Sequence, residues 1–207
     1  MNHPQPARRP TIVAIVLLLL FLPLTGFGAY EPLTWWLEIA PILVAVPFLW
    51  RYGTTGRLSV FLLAFIVVHG LILAVGGHYT YARVPLGEWV RDLGIGSRNN
   101  YDKLGHFYQG VMPALVIREV FLRLGLWRGH PGFLGALAVL AAGGVSAFYE
   151  VLEMSAALAL GSGADEFLGT QGYVWDTQTD MALALAGALL AVLLFNKAHA
   201  KSVEATR

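Results

Sequence analysis

The chain has no cysteine and unusually little charge. Without Cys there is no disulfide framework, thiolate metal site or Cys nucleophile, although the compartment stays open. Charged residues make up 13% of its 207 positions, where soluble globular chains carry roughly 25%. A surplus of positive charge is missing as well. Fourteen Lys+Arg against thirteen Asp+Glu leave no basic field for phosphates, which excludes nucleic acid as a partner. The 23 glycines show no triplet repeat, which excludes a collagen-like chain. What is abundant is apolar surface: 57% of residues are hydrophobic and mean hydropathy is +0.61. The expectation is one integral membrane domain over residues 1–207, with the lipid bilayer as its first partner.

A helix needs about 20 mostly apolar residues to cross a hydrocarbon core of ~30 Å. Six stretches meet that length, about Thr11–Ala29, Leu33–Trp50, Leu58–Gly77, Tyr101–Leu124, Phe133–Leu160 and Thr177–Asn196. None alternates polar with apolar residues as barrel strands do, so the predicted fold class is an all-α polytopic transmembrane bundle. The second span is the weakest, with Glu38 inside it and Pro41 and Pro47 along it. Arg8-Arg9 ahead of the first span also fit a signal peptide. The apolar run is too long for one, however, and Phe27 stands where cleavage ending at Ala29 wants a small residue, so an uncleaved span is expected.

Orientation follows from Lys and Arg on alternate loops. One side holds Arg8, Arg9, Arg51, Arg57, Arg118, Arg123, Arg128, Lys197, Lys201 and Arg207; the other holds Arg83, Arg91, Arg98 and Lys103. The first set belongs inside, which puts both termini in the cytoplasm. The loop Gly161–Trp175 carries Asp165 and Glu166 but no cation, as an external loop should. Between spans three and four, Leu86, Trp89, Val90 and Leu93 recur at helical spacing, opposite Glu88, Arg91 and Asp92. That pattern predicts a short interfacial helix on the outer leaflet.

The first three spans are nearly free of polar groups, whereas the last three are studded with them. An ionisable residue at the bilayer centre costs about 2.5–3.5 kcal/mol on insertion scales, so such residues pair, line cavities or function. Asp102, His106 and Gln109 share one face of the fourth span, Glu150 and Glu153 one stripe of the fifth, and Asp176 and Asp180 one face of the sixth. At 1.5 Å per residue, His106 lies roughly 8 Å from the outer end of its helix, Glu153 about 10 Å, Glu150 about 15 Å and Asp180 roughly 5 Å. All fall in the outer half, and convergence on one site is expected, with Lys103 and Arg98 as nearby cations. The inner half shows no matching polar path.

An oxygen-rich set with one imidazole suits a divalent metal such as Mg²⁺, Mn²⁺, Ca²⁺ or Zn²⁺, and paired helical carboxylates are how bundle metal sites are built. The candidate ligands are Asp102, His106, Glu150, Glu153, Asp176 and Asp180; no strict signature such as H-E-x-x-H is present. His106, Glu150 and Asp180 are the candidate catalytic groups, flanked by Gln109, Tyr149 and Gln171 as candidate substrate contacts. Each has a plainer reading. Asp102 and Asp176 stand where N-caps are favoured, Glu150 can bond a Tyr or Trp, and His106 can bridge two helices. His69 and His78 read as packing and interface residues, with membership of the cluster as the alternative, and Arg118, Glu119 and Arg123 as side chains that snorkel to the inner surface.

The segments Tyr101-Asp102-Lys103-Leu104-Gly105-His106 with Gln109-Gly110, Phe148-Tyr149-Glu150, Gly169-Thr170-Gln171-Gly172 and Trp175-Asp176-Thr177-Gln178-Thr179-Asp180-Met181 resemble the YjdF family of bacterial inner-membrane proteins. The resemblance covers essentially the whole chain and implies a multi-span envelope protein, but no reaction. More distantly, the order D-K-x-x-H, then a glutamate, then aspartates opening the last helix is similar to VanZ-like membrane proteins, a group linked to glycopeptide tolerance. Here Asp180 occupies the position of the usual Asn and Leu183 that of a Gly, with Gly187 retained.

Three readings follow. The first is a membrane-embedded enzyme, metal-dependent or not, acting on an envelope lipid or lipid-linked substrate; it should lose activity but not folding when Glu150 or His106 becomes Ala. The second is a non-catalytic structural or partner-binding protein, in which the same changes lower stability. The third is a proton-coupled permease, whose transport would vanish on Glu150→Gln; six spans without an inverted repeat speak against it.

Overall fold

A computed structural model describes residues 8–126, 130–160 and 171–206. Among them are seven helices and no strand: α1 (Arg8–Gly26), α2 (Pro32–Phe48, continued by a π turn over Leu49–Gly53), α3 (Val60–Tyr79), α4 (Pro85–Asp92), α5 (Tyr101–Leu124), α6 (Pro131–Leu160) and α7 (Asp176–Glu204). Five of these, α1, α2 with its π turn, α3, α6 and α7, are long and apolar enough to cross a membrane. The sixth long helix, α5, has the length for it, about 36 Å at 1.5 Å per residue. Its charges gather at its two ends, Asp102 and Lys103 at one and Arg118, Glu119 and Arg123 at the other. It tolerates them because it is the central helix, packed against α3, α6 and α7.

The α5–α7 crossing holds the bundle together, and small residues make it possible. A Cβ on Gly110 would run into the backbone carbonyl of Ala184, and one on Gly187 into the carbonyl of Phe107. Ala114, Ala184, Ala188 and Ala191 continue this seam, all fully buried. In lipid there is no hydrophobic drive between helices, so such backbone-to-backbone contact supplies the association. Gly143 packs against Leu185 of α7, whereas Gly144 has nothing nearby. A second cluster joins α1, α2 and α3 through Leu18, Ile39, Ile42, Leu62 and Leu63 and reaches α5 through Leu115.

Local sequence sets the helix ends near the connecting turns. Ser59 caps α3 by accepting from Leu62 N. The other end of α3 stops at Thr80 and Tyr81, both left-handed at φ 57° and 50°. For non-glycine residues this costs on the order of 1–3 kcal/mol each. The turn lays the Tyr81 ring over Gly76, where no side chain fits beneath it. Pro85 opens α4 at its first position, where a missing N–H costs nothing. The predicted short helix is present, with Leu86, Trp89 and Leu93 exposed and Arg91 paired to Glu88 at 2.6 Å and Asp92 at 2.9 Å.

Expectations about four residues are corrected. Arg118 and Glu119 do not snorkel: they are 2% and 1% exposed. Glu119 accepts from Ser59 N (2.6 Å), Ser59 Oγ (2.5 Å), Arg123 Nη2 (2.8 Å) and His199 Nε2 (3.1 Å), and Arg118 donates to Asn196 Oδ1 (2.6 Å). The end of the bundle opposite the Asp–His–Glu cluster therefore carries a polar network of its own. Tying it together requires α7 to run on past Asn196 to Glu204. Asp102 and Asp176 stand in the first turns of α5 and α7 but neither caps its helix; Asn100 and Trp175 hold the cap positions.

Candidate functional site

Antiparallel threading sends the N-terminal ends of α2, α5 and α7 and the C-terminal halves of α3 and α6 to the same end of the bundle. Asp102 and His106 come from the first two turns of α5, Glu150 and Glu153 from α6, and Asp176 and Asp180 from the start of α7. The structure sorts them into two adjoining groups, Asp102–Asp176–Asp180 and His106–Glu150–Glu153, each with its donor atoms within 4.8 Å of one another.

The aspartate group is already paired with two cations. Lys103 Nζ lies 2.7 Å from Asp176 Oδ1, 2.8 Å from Asp180 Oδ1 and 3.4 Å from Asp102 Oδ2. Arg98 Nη2 lies 2.6 Å from Asp176 Oδ1 and 3.2 Å from Asp102 Oδ2. Both cations also sit over the Tyr173 ring. An ammonium group occupies the middle of the three carboxylates, where a metal ion would otherwise go.

The second group is different. His106 Nδ1 faces Gln109 Oε1 at 2.8 Å. Its Nε2 points toward Asp180 Oδ2, 3.7 Å away, so the ring lies between an amide and a carboxylate. Glu150 Oε1 stands 3.6 Å from His106 Nδ1 and has no hydrogen-bond partner, although Glu150 is only 9% exposed. Ser146 Oγ, one turn earlier on α6, is likewise buried and unpartnered.

Beside this group lies a cavity of about 140 Å³ between α2, α3, α5 and α6, lined by His106, Gln109, Tyr149, Glu153, Glu38 and His69 among others. From the sequence Glu38 reads only as a flaw in its span and His69 chiefly as a packing residue, because each is isolated on an otherwise apolar span. Their signal was only that an ionisable residue within a span is rarely idle. Glu38 accepts a hydrogen bond of 2.9 Å from the Tyr81 hydroxyl. Tyr81 lies in the turn after α3, and burial, with the Glu38 carboxylate beside it, pushes its phenol well above the usual range, so it stays a donor. His69 Nε2 is buried and unpartnered. His78 does not reach the cavity; its Nδ1 lies 2.6 Å from Thr25 O. Gln171 is also off the cavity, donating to Asn99 O at 2.8 Å. Of the loop Gly161–Trp175, residues 161–170 lie outside the described residues.

A second depression, about 330 Å³, opens between α6 and α7 and is lined by Glu150, Glu153, Met154, Leu158 and Asp176 among others. Glu153 borders both spaces. Six carboxyl groups thus face Arg98, Lys103 and two imidazoles. Protons or a bound cation must make up the difference, since unpaired carboxylates are not held charged in low dielectric.

Fold and site together define a class: a polytopic α-helical membrane protein with an acid- and imidazole-lined cavity in one half of its bundle. The chain belongs to the family described as "Predicted membrane protein (DUF2238)", which matches residues 10–201. It is 47% identical over 189 residues to the inner membrane protein YjdF of Escherichia coli (strain K12), across 90% of this chain and 88% of that protein. No solved structure matches the chain. With its apolar helices, this relationship makes it a multi-pass protein of the inner membrane.

Proposed function

We propose that this chain is a membrane-embedded enzyme acting on an envelope lipid or lipid-linked substrate presented from the outer leaflet. The observation that carries the reading is Glu150 Oε1, buried and unpartnered beside His106. Glu119, in the same fold, shows what a structural carboxylate looks like, with both oxygens bonded. A carboxylate kept only for packing would resemble Glu119. In the proposed chemistry His106 is the acid/base, held by Gln109 and facing Asp180, and Glu150 is the second acid/base or a metal ligand. The proposed divalent cofactor is confined to His106, Glu150 and Glu153, because Lys103 already fills the aspartate group. Both termini are proposed to face the cytoplasm, on the Lys and Arg count.

The permease reading finds less support. Gln109 and Arg118 are nine residues apart on α5, roughly 13 Å, and the layer between them contains Ala114, Leu115, Ala184 and Ala188, none of them exposed. No polar side chain of α5 bridges that layer, and the hydrogen bonds of Arg118, Glu119 and Arg123 all end on residues of the far end, where Arg118 Nε and His199 Nδ1 stay unpartnered.

The test is to incubate the purified protein in nanodiscs with envelope lipid extract, assay products by mass spectrometry, and measure metal content on the same sample. Turnover that falls about 10²-fold or more in His106→Gln and Glu150→Gln, with melting temperature retained, is the expected result. No product from any lipid fraction, together with lowered melting temperatures in both variants, would end the enzymatic reading in favour of a structural one.

A further inference from the structure

The unsatisfied atoms around the site point to the chemistry of what binds there. His69 Nε2, at the cavity wall, is buried without any partner, and Glu38, Asp102 and Glu153 bring three carboxyl groups to the same wall; Glu150, whose Oε1 is an acceptor without a donor, lines the adjoining depression. Arg98 and Lys103 are engaged with Asp102, Asp176 and Asp180, and neither lines the cavity. No Lys or Arg among the described residues does. A ligand entering this space therefore meets carboxyl and imidazole groups with no Lys or Arg beside them, acids that hold a proton until a cation arrives to pair with them. A bare phosphate would find no cationic partner here, whereas a group bringing N–H donors or a fixed positive charge would be held.

Size and aromatic content narrow the class. A volume of about 140 Å³ is close to the ~150 Å³ that accommodates benzene in an engineered cavity, so it suits a group of about four to seven heavy atoms. Tyr81 and Tyr149 line the same space, and tyrosine rings attract ammonium groups. The depression between α6 and α7 shares Glu153 with the cavity, and Met154 and Leu158 on its wall are exposed. An acyl-linked headgroup approaching from the lipid would pass apolar side chains first and reach the acids afterwards.

We propose that this cavity binds a positively charged ammonium group of ethanolamine or choline size, carried as the headgroup of an outer-leaflet lipid. The proposal rests on the enzymatic reading only for the side of approach and does not require turnover.

The experiment uses the full-length protein in detergent, with native mass spectrometry and melting temperature as readouts. The probes are short-chain phosphatidylethanolamine, phosphatidylcholine and phosphatidylglycerol, free ethanolamine and free choline, each with EDTA and again with Mn²⁺. The expected result is binding of an amine-bearing lipid about tenfold or more tighter than phosphatidylglycerol. Glu153→Gln and Glu38→Gln should lose most of that preference, while Glu204→Gln, exposed at the far end of α7, keeps it. If either cavity variant fails to fold, competition of free choline against phosphatidylcholine on the wild-type protein decides instead. Free amine binding as tightly as the lipid supports the ammonium site and makes its source soluble. Phosphatidylglycerol bound equally well, or amine lipid displaced by Mn²⁺, overturns the proposal. Amine binding without conversion keeps this inference and removes the enzymatic one; turnover of an anionic lipid does the reverse.

Discussion

Two buried glutamates in one fold behave differently, and the difference is measurable. Glu119 accepts from a backbone N–H, a hydroxyl, a guanidinium and an imidazole. Removing it leaves His199 without its acceptor and Arg123 with Thr206 alone, and breaking a buried pair from one side typically costs about 3–5 kcal/mol. Glu119→Ala should therefore lower unfolding stability by that order in a denaturation assay in detergent. Glu150 has an oxygen with no partner, and Glu150→Gln keeps an acceptor for its hydrogen bond with Thr177 while removing the cost of burying a carboxylate. Its stability should stay level or rise while turnover is lost, the trade expected of a functional residue. Equal destabilisation of both variants would contradict this contrast. Tyr81→Phe should cost about 1–3 kcal/mol by leaving Glu38 without its donor, seen as a drop in melting temperature that Tyr81→Leu exceeds. The sequence marked Glu150 and His106 plainly. It was silent on Tyr81, whose role depends on a left-handed turn that no local pattern announces.

At the scale of elements, the α5–α7 crossing is the contact the fold tolerates least interference with. Because a Cβ at Gly110 meets backbone and not a flexible side chain, Gly110→Val should separate the helices and sharply reduce folded protein in the membrane fraction. Gly144→Ala, where nothing lies within 4 Å, should leave abundance unchanged. Wild-type abundance of Gly110→Val would show that α5 and α7 do not approach as described. Span positions were readable from apolar length, and five of the six stretches correspond to helices apolar enough to cross. The end of α7 was not. Apolar residues run out at Asn196, but the helix continues because His199 bonds Glu119 of α5, a long-range reason. The same pairing explains why Arg118 and Glu119 are buried and not turned to the surface.

Over the whole molecule, two polar ends are separated by a layer of alanine, leucine and valine. The proposed orientation puts the cavity end outside, and the natural absence of cysteine makes that easy to check. In intact cells a membrane-impermeant thiol reagent should label Leu93→Cys, exposed beside α4, and should label Ala205→Cys only after permeabilisation. The reverse pattern would place the site on the cytoplasmic face and remove the outer-leaflet substrate. What the amino-acid sequence determined by itself was whatever depends on composition and period: membrane residence, helical class, the approximate spans, the short amphipathic helix and the polar residues of the last three spans. Those features follow from transfer free energy and helix geometry, which are local. Only the tertiary structure decided that Lys103 fills the aspartate group, that Glu38 and His69 from the apolar half of the chain join the cavity wall, and that Glu150 keeps a free oxygen. Each of these depends on which faces of different helices meet. That is set by where glycine and alanine let backbones touch, and no single helix carries the information.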